Sequence, residues 1–395
     1  MSIADPTLHA RSAPGHDPIR VMIVDDAIVV RGLLVRWIEA EAGMQVVASL
    51  RSGREAIDQV ERTKPDVVIL DVDMPDIDGI TALPRLIEKK RDLIVIMSST
   101  LTRRNAEVSL RALSLGATDY IPKPESSREL SGSASFRREL IEKIRALGAR
   151  HKQRLAPPWA SPAARPRPSG PHAAGAGLRL VASPETAPDS VTFKLRPLPS
   201  VPPRILLIGS STGGPQALGA IVGRISGVID QAPVLITQHM PPTFTTILAE
   251  ILERASGRPV HEALDGEALR AGAIYIAPGG RHLRVVRRDG VPSVALDDGP
   301  QINFCKPAVD PMFSSAAETW GSWNLGLVLT GMGSDGTRGA ADIVAAGGSV
   351  IAQDEDTSVV WGMPGSVSKA GLCCAVLPID QIAGKLINLF SGGRS

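Results

Sequence analysis

The feature that most constrains this chain is a repeated alternation. Short, β-branched, almost continuously apolar runs are each followed by an amphipathic stretch, in two blocks with a proline-rich segment between them. Runs of this kind lack a polar residue at every second position, so they suit strands buried on both faces of a parallel sheet. In the first block, from Ile19 to about Leu147, the strands expected are Arg20–Val24, Val46–Ser49, Val67–Leu70, Leu93–Met97 and Asp119–Ile121, with helices such as Val29–Glu41 and Gly53–Thr63. The second block, from about Arg204 onward, offers Ile205–Ile208, Val234–Thr237, Ala273–Ala277, Leu325–Leu329 and Ser349–Ala352. The expectation is two α/β domains: an N-terminal doubly wound domain over 19–147 and a C-terminal doubly wound domain over 204–390.

The segment between them, 148–203, is rich in Pro, Ala and Arg. Its core, Pro157–Pro203, holds a dozen prolines and no hydrophobic period. It cannot bury enough surface to order itself and is expected to act as a partly extended tether. Arg165, Arg167 and Arg179 could touch RNA or a membrane surface, but a solvated linker is the simpler reading. Lys+Arg 43 against Asp+Glu 41 leaves a net charge of +2, with no basic field for nucleic acid. Met1–Arg20 has no apolar core of a secretory signal, and no window approaches the roughly eighteen apolar residues of a membrane helix. The cysteines, Cys305, Cys373 and Cys374, are odd in number with two adjacent, which suits a reducing compartment better than a disulfide framework. A soluble cytoplasmic protein is expected.

Chemistry gathers at strand ends. Asp25 and Asp26 follow the first strand directly and Asp71 follows the third, at the edge where open α/β sheets bind ligands. Converging carboxylates raise one another's pKa unless a cation sits among them, and hard oxygen ligands suit Mg²⁺. Ser99 and Lys123 should reach the same edge, and the Lys123–Pro124 bond is a candidate for cis. A carboxylate, a divalent cation, a hydroxyl and a lysine make a site for phosphorylating an aspartate. The plainer alternative is two turn aspartates and an N-cap. The sequences VDD, LDVDMPDIDG, SST and KP resemble a response-regulator receiver domain across Ile19 to Leu147. The resemblance implies Asp71 as phosphoacceptor, and Mg²⁺ bound by Asp26, Asp71 and the carbonyl of Asp73 with help from Asp25. It also implies Ser99 and Tyr120 as the switch pair, with Lys123 beside the phosphoryl group. Pro122 departs from expectation inside a strand.

In the second block, Ile205–Ile208 runs into Gly209-Ser210-Ser211-Thr212-Gly213-Gly214-Pro215. As G-x-S-x-G, this places Ser211 at a strand-to-helix turn whose backbone N–H groups could stabilise an oxyanion. Glycine-rich turns also bind phosphates, but no lysine follows as in a P-loop. The next strand ends in Gln238-His239, where a dinucleotide site would want an acid. His239 is thus placed to reach Ser211, whereas His282, in Pro278-Gly279-Gly280-Arg281-His282, reads as a loop residue. Asp335, in the strand-end loop Leu329–Gly336, could orient His239 or merely form a turn. The order Ser, His, Asp would make a triad on a fold distinct from the α/β-hydrolases.

The motifs IGSSTGGP, TQHMPP, IYIAPGG, KPAVDPMF, LTGMGSDG and WGMPGSV resemble, in order, the catalytic domain of the chemotaxis protein-glutamate methylesterases, the CheB family. The resemblance implies Ser211 as nucleophile, His239 as base and Asp335 as orienting acid, with Met332 and the backbone around Thr212 and His239 lining the site. It implies hydrolysis of glutamyl methyl esters and deamidation of glutamines on methyl-accepting chemoreceptors, without a cofactor for the hydrolase. A chemotaxis histidine kinase would be the phosphodonor. The protein would be a monomer, peripheral to receptor arrays rather than membrane-inserted, with its receiver restraining the hydrolase until phosphorylated. A docking module without activity and a small-molecule esterase are the competing readings.

Overall fold

The computed structural model describes residues 17–124, 133–155, 194–198 and 201–392. The chain divides into two compact units, Met1–Ala149 and Arg150–Ser395. Most of the proline-rich segment, with Arg165, Arg167 and Arg179, lies outside the described residues, as does most of the Met1–Arg20 stretch. Among the described residues no helix is long and apolar enough to cross a membrane.

The first unit holds strands β1 (Ile19–Val24), β2 (Met44–Leu50), β3 (Val67–Asp71), β4 (Ile94–Thr100) and β5 (Asp119–Lys123) in one sheet of order β2-β1-β3-β4-β5. All its pairings are parallel. This is the flavodoxin-like order, and it reverses between β1 and β3, opening a crevice at their carboxyl ends. β3 is buried along its whole length, as its unbroken apolar run requires. Helices α1 (Ile28–Glu39), α2 (Gly53–Thr63), α3 (Gly79–Lys89), α4 (Arg103–Ser114) and α5 (Ala134–Leu155) complete the unit. α2 begins at a reciprocal cap: the Ser52 side chain accepts from Glu55 N–H, and the Glu55 carboxylate accepts from Arg51 N–H one residue before the cap. It ends at Lys64, in left-handed conformation with φ 42°. Pro122 is tolerated because β5 is the sheet's edge, where a missing N–H costs no ladder bond. α5 runs on to Leu155, past the boundary expected at 147. Gly148 lies where a Cβ would come 2.6 Å from Ile19, so it lets the helix pack closely on β1.

The second unit is built on a seven-stranded sheet of order β14-β13-β12-β6-β7-β9-β8. Its strands are β6 (Ile205–Ser210), β7 (Val234–Gln238), β8 (Val260–Glu262), β9 (Ile274–Ile276), β12 (Asn324–Val328), β13 (Ser349–Gln353) and β14 (Ala375–Leu377), all paired in parallel. β6 is central, with β7 on one side and β12 on the other, so the strand order again reverses at β6. The helices are α6 (Gly214–Val222), α7 (Ser226–Ile229), α8 (Phe244–Ser256), α9 (Val309–Trp320), α10 (Thr337–Ala345), α11 (Met363–Lys369) and α12 (Ile379–Phe390). Phe313, Met312, Val309 and Ile343 are buried in a core shared with Leu207, Val328 and Val350 from the sheet. An antiparallel hairpin, β10 (His282–Arg288) with β11 (Val291–Asp297), was not expected from the alternating pattern. Its turn, Asp289-Gly290, has φ of 51° and 79° and is a strong short-range hairpin signal. His282 is the first residue of β10 and buried, not a loop residue: its Nδ1 accepts from Ala308 N–H at 3.1 Å, and Nε2 donates to the Pro300 carbonyl at 2.9 Å. Among the described residues the cis X-Pro bond is Lys306–Pro307, not Lys123–Pro124.

Candidate active sites

At the carboxyl edge of the first sheet, Asp25, Asp26 and Asp71 offer carboxylate oxygens within 4.8 Å of one another. Asp25 and Asp71 are buried, and Lys123 reaches both, with Nζ 2.6 Å from Asp25 Oδ2 and 2.8 Å from Asp71 Oδ1. Burial pushes the Asp71 carboxyl up; Lys123 pulls it down, Asp25 adds repulsion, and its pKa stands at about 6. Burial works against the Lys123 charge, but Asp71 and Asp25 overrule it and raise its pKa. The Lys123 ammonium is shared between two buried carboxylates, and a third, exposed carboxylate, Asp26, opens that edge to solvent. The donor set fits a hard divalent cation that keeps part of its water. The Asp73 side chain points elsewhere, its Oδ2 accepting from Asn105 Nδ2 at 2.8 Å.

The expected switch residues are both held inward. Ser99 Oγ lies 2.8 Å from Ser109 Oγ on α4, in a fully buried hydroxyl pair. Tyr120 is buried, and burial, with the nearby Asp119 and Glu139, pushes its hydroxyl pKa well above the ordinary value. Lys143, on α5, sits 5.3 Å from the Tyr120 ring centre, donates to the Tyr120 carbonyl at 2.7 Å and pairs with Asp119 at 2.8 Å. Nothing in the sequence pattern singled out Ser109 or Lys143. They become visible only once α4 and α5 are laid on the sheet.

In the second unit, Ser211 follows β6, and the chain turns at Gly213, with φ 76°, into α6. The turn is pinned by two residues, Thr330 and Gln238. Ser211 N–H donates to the Thr330 carbonyl at 3.0 Å, and Thr330 Oγ1 donates to the Thr212 carbonyl at 2.8 Å. Gln238 Nε2 donates to the Ser211 carbonyl at 2.9 Å, while Gln238 Oε1 accepts from Ser210 Oγ at 2.7 Å. Gly214 must lack a side chain, because a Cβ there would meet Gln238 Oε1 at 1.9 Å. Gly331 must as well: its Cβ would lie 2.9 Å from Ser211 Cβ and 2.4 Å from Met363 Sδ. Thr212 Oγ1 is buried without a hydrogen-bond partner among the described residues. Met332 is half-buried beside Gly331.

His239 leaves the end of β7, its N–H donating to the Ser210 carbonyl at 3.1 Å. Its Nε2 lies 2.7 Å from Asp335 Oδ2, and its Nδ1 lies 3.3 Å from Cys305 Sγ. Both ring nitrogens are thus taken, and Ser211 Oγ is not among their partners. An ionised Asp335 only accepts, so Nε2 carries a hydrogen toward it, and Nδ1 is the nitrogen that meets the Cys305 sulfur. Burial opposes charging of the ring, but the Cys305 sulfur and the Asp335 carboxylate outweigh it and lift its pKa to about 10.

Asp335 has a second task. α9 starts at Val309 after Ala308, whose side chain cannot cap it. Asp335 supplies the cap from a distant loop: Oδ2 accepts from Val309 N–H at 2.6 Å and Oδ1 from Asp310 N–H at 3.1 Å. Gly336 N–H adds a further bond at 2.9 Å. Burial pushes its pKa up, but His239 and the helix N–H groups outweigh that and hold it below the usual carboxylate range.

The family models match in the order of the two units. Residues 21–134 match the response regulator receiver domain, and residues 206–386 match the CheB methylesterase. A protein-glutamate methylesterase/protein-glutamine glutaminase of group 2 operon from Rhodopseudomonas palustris is 59% identical, covering 100% of both chains. The chain belongs to the CheB methylesterase family. The CheB relative from Bradyrhizobium diazoefficiens, also of a group 2 operon, is 58% identical over 96% of each chain. The solved CheB methylesterase catalytic domain of Thermotoga maritima is 45% identical, its whole length matched to 48% of this chain at a TM-score of 0.46. Within this CheB chain, sequence reasoning passed over Cys305 and Gln238. Gln238 stood beside His239 in the expected strand end and could have been read as a turn-pinning residue. Cys305 carries no signal of its own, since its loop reaches His239 only through the packing of α9.

Proposed function

We propose that this chain is a phosphorylation-regulated protein-glutamate methylesterase and protein-glutamine glutaminase. It acts in the cytoplasm, as a monomer, on methyl-accepting chemoreceptors, and it takes its phosphoryl group from a chemotaxis histidine kinase. The observation that carries the hydrolase reading is the Asp335–His239 pair at 2.7 Å, with Asp335 buried, beside the Ser211 turn.

Ser211 Oγ is the nucleophile for the receptor γ-carbonyl. His239 Nδ1 takes the hydroxyl proton as the C–O bond forms, and Asp335 stabilises the resulting imidazolium. The ring returns that proton to the departing methanol, or to ammonia from glutamine, leaving an acyl-Ser211. Water, deprotonated by the same nitrogen, then attacks the acyl carbon, and the released Ser211 oxygen regains its proton. Backbone N–H groups around Thr212, at the start of α6, suit the developing oxyanion, and Met332 flanks the pocket. Because Nδ1 faces Cys305 in the resting site, the thiol has to yield it before Ser211 can use it.

In the receiver, Asp25, Asp26 and Asp71 with the carbonyl of Asp73 would hold Mg²⁺, which when bound neutralises phosphoryl oxygens. Asp71 is the phosphoacceptor and Lys123 stays beside it. Ser99 would exchange Ser109 for a phosphoryl oxygen, and Tyr120, with Lys143 against its ring, reports the exchange toward α4 and α5. Methanol release from methylated chemoreceptors is the deciding assay. Wild-type protein releases it, Ser211→Ala does not, and full activity in that variant would refute the nucleophile assignment.

A further inference from the structure

The buried ring of His282 takes no part in the proposed chemistry, yet it clasps a loop that reaches the base. It is 1% exposed and opens β10 beside the segment that runs from Pro300 to Ala308. Ala308 N–H only donates, so at 3.1 Å it fixes His282 Nδ1 as an acceptor. With Nδ1 accepting, the ring hydrogen sits on Nε2, which gives it to the Pro300 carbonyl at 2.9 Å. Both partners are backbone groups. Asp297, opposite His282 on β11, is already engaged by Arg284 at 2.8 Å and by Gly299 N–H at 2.7 Å.

The clasped loop carries Cys305, whose sulfur meets His239 Nδ1 at 3.3 Å. Ile302 and Cys305 exchange backbone hydrogen bonds at 3.1 and 2.8 Å, so Cys305 moves with the stretch that follows Pro300. At the far end, the next two N–H groups, of Val309 and Asp310, go to Asp335. The Ala308 end is thus fixed twice, by His282 and by the capped start of α9. The Pro300 end is held from inside by the Nε2 bond, while the bonds that Arg281 and Lys306 make to neighbouring Asp298 lie at the surface, where such ties add little.

We infer that His282 is a positioning residue for the hydrolysis: by holding Pro300 through Nε2–H, it keeps the 300–308 loop closed and Cys305 against His239 Nδ1. This role rests on the hydrolase reading above and deepens it, since the contact that restrains the base is itself set by a residue on β10. When the Pro300 tie is lost, the thiol withdraws and Nδ1 is released.

His282→Leu breaks both bonds at once, so the test variants are the two amides, each of which keeps one. An asparagine oxygen falls at the place of Nδ1 and keeps Ala308; a glutamine NH₂ reaches the place of Nε2 and keeps Pro300. Methanol release from methylated chemoreceptor is followed against pH for the full chain, His282→Asn, His282→Gln, Cys305→Ala and the double variant His282→Asn/Cys305→Ala. With the loop untied, the rising limb of His282→Asn should move to lower pH, by about half the shift that Cys305→Ala gives or more. On that limb His282→Asn should outpace wild type although its melting midpoint is lower, a combination that a purely structural lesion does not give. His282→Gln should keep the wild-type limb. In the double variant the limb should stand where Cys305→Ala alone puts it, because the thiol through which His282 acts is gone. In the unmutated full chain, ¹⁵N spectra should show the His282 hydrogen on Nε2; a hydrogen on Nδ1 leaves no donor for Pro300 and overturns the role without any variant. A wild-type limb in His282→Asn, the same shift in both amides, or a further shift in the double variant also overturns it, and leaves the hydrolase reading intact. Wild-type protein that releases no methanol from methylated receptor overturns that reading, and the role of His282 with it.

Discussion

Replacing Asp335 by asparagine tests whether one carboxylate both orients the base and holds a helix. In the wild-type protein its two oxygens accept four hydrogen bonds: from His239 at 2.7 Å, Val309 at 2.6 Å, Asp310 at 3.1 Å and Gly336 at 2.9 Å. An amide has the same shape but only one accepting oxygen. If that oxygen keeps His239 and Val309, the NH₂ group is turned on the N–H groups of Asp310 and Gly336, donor against donor. Each buried donor so stranded costs about 1–3 kcal/mol, so Asp335→Asn should lose about 2–6 kcal/mol of stability. The ring also loses its anionic partner, and kcat for methanol release should fall by up to about 10⁴-fold. Urea unfolding and initial-rate kinetics on the same preparation measure both effects. Asp310→Asn is the control: Asp310 is also buried, its Oδ1 accepts from Gly339 N–H at 2.8 Å, which an amide oxygen can still do, and what its Oδ2 loses is a 3.9 Å pairing with the exposed Arg338. It should cost less than about 1 kcal/mol. Were Asp335→Asn as stable as Asp310→Asn and within tenfold of wild type in kcat, the shared role of this carboxylate would be refuted.

Further outcomes are expected at other positions. Cys305→Ala removes one of the two groups that hold the His239 pKa up near 10, so the rising limb of the pH–rate profile should move to lower pH. The same raised pKa stabilises the fold fully below about pH 6.5 and ceases to as pH climbs through 10, so the alanine variant should lose less stability over that range in denaturant titrations at several pH values. Gly331→Ala puts a methyl group 2.9 Å from Ser211 Cβ and should shift the serine enough to lower kcat about 100-fold, with protein substrate still bound; an unchanged kcat would show that the turn yields freely. In the receiver, Asp71 protonates at about pH 6, so calorimetric Mg²⁺ affinity should weaken as pH falls below 6, and Asp71→Asn should abolish that dependence together with phosphate-driven activation.

Much of this was legible in the sequence because it depends on strand ends. An unbroken run such as Val67–Asp71 announces a strand covered on both faces, and the residue that closes it must lie at the edge of the sheet. Ser211 and His239 each follow such a strand directly and Asp335 lies in the loop after another, so their places along the chain were enough to bring them to one edge. What the pattern hid depends on how the layers meet. Cys305 reaches His239 from a loop with no periodicity, and the cap that Asp335 gives α9 joins residues far apart in sequence. His282 looked like part of a glycine-rich loop because the hairpin it opens is short, although Asp289-Gly290 marked its turn. Ser109 and Lys143 became legible only from the faces of α4 and α5 that press on β4 and β5.

The position of β6 at the middle of its sheet has a consequence for synthesis. β7 joins β6 on one flank soon after both emerge, whereas β12, on the other flank, is made well over a hundred residues later than β6. Until β12 arrives, the serine turn lacks the Thr330 carbonyl that anchors it, and His239 has no acid. A nascent chain therefore carries Ser211 and His239 without the acid of the proposed triad until Asp335 is made. On the proposed mechanism, hydrolytic power would switch on only once β12 and the loop after it have been threaded, a safeguard that comes from the order of the strands alone.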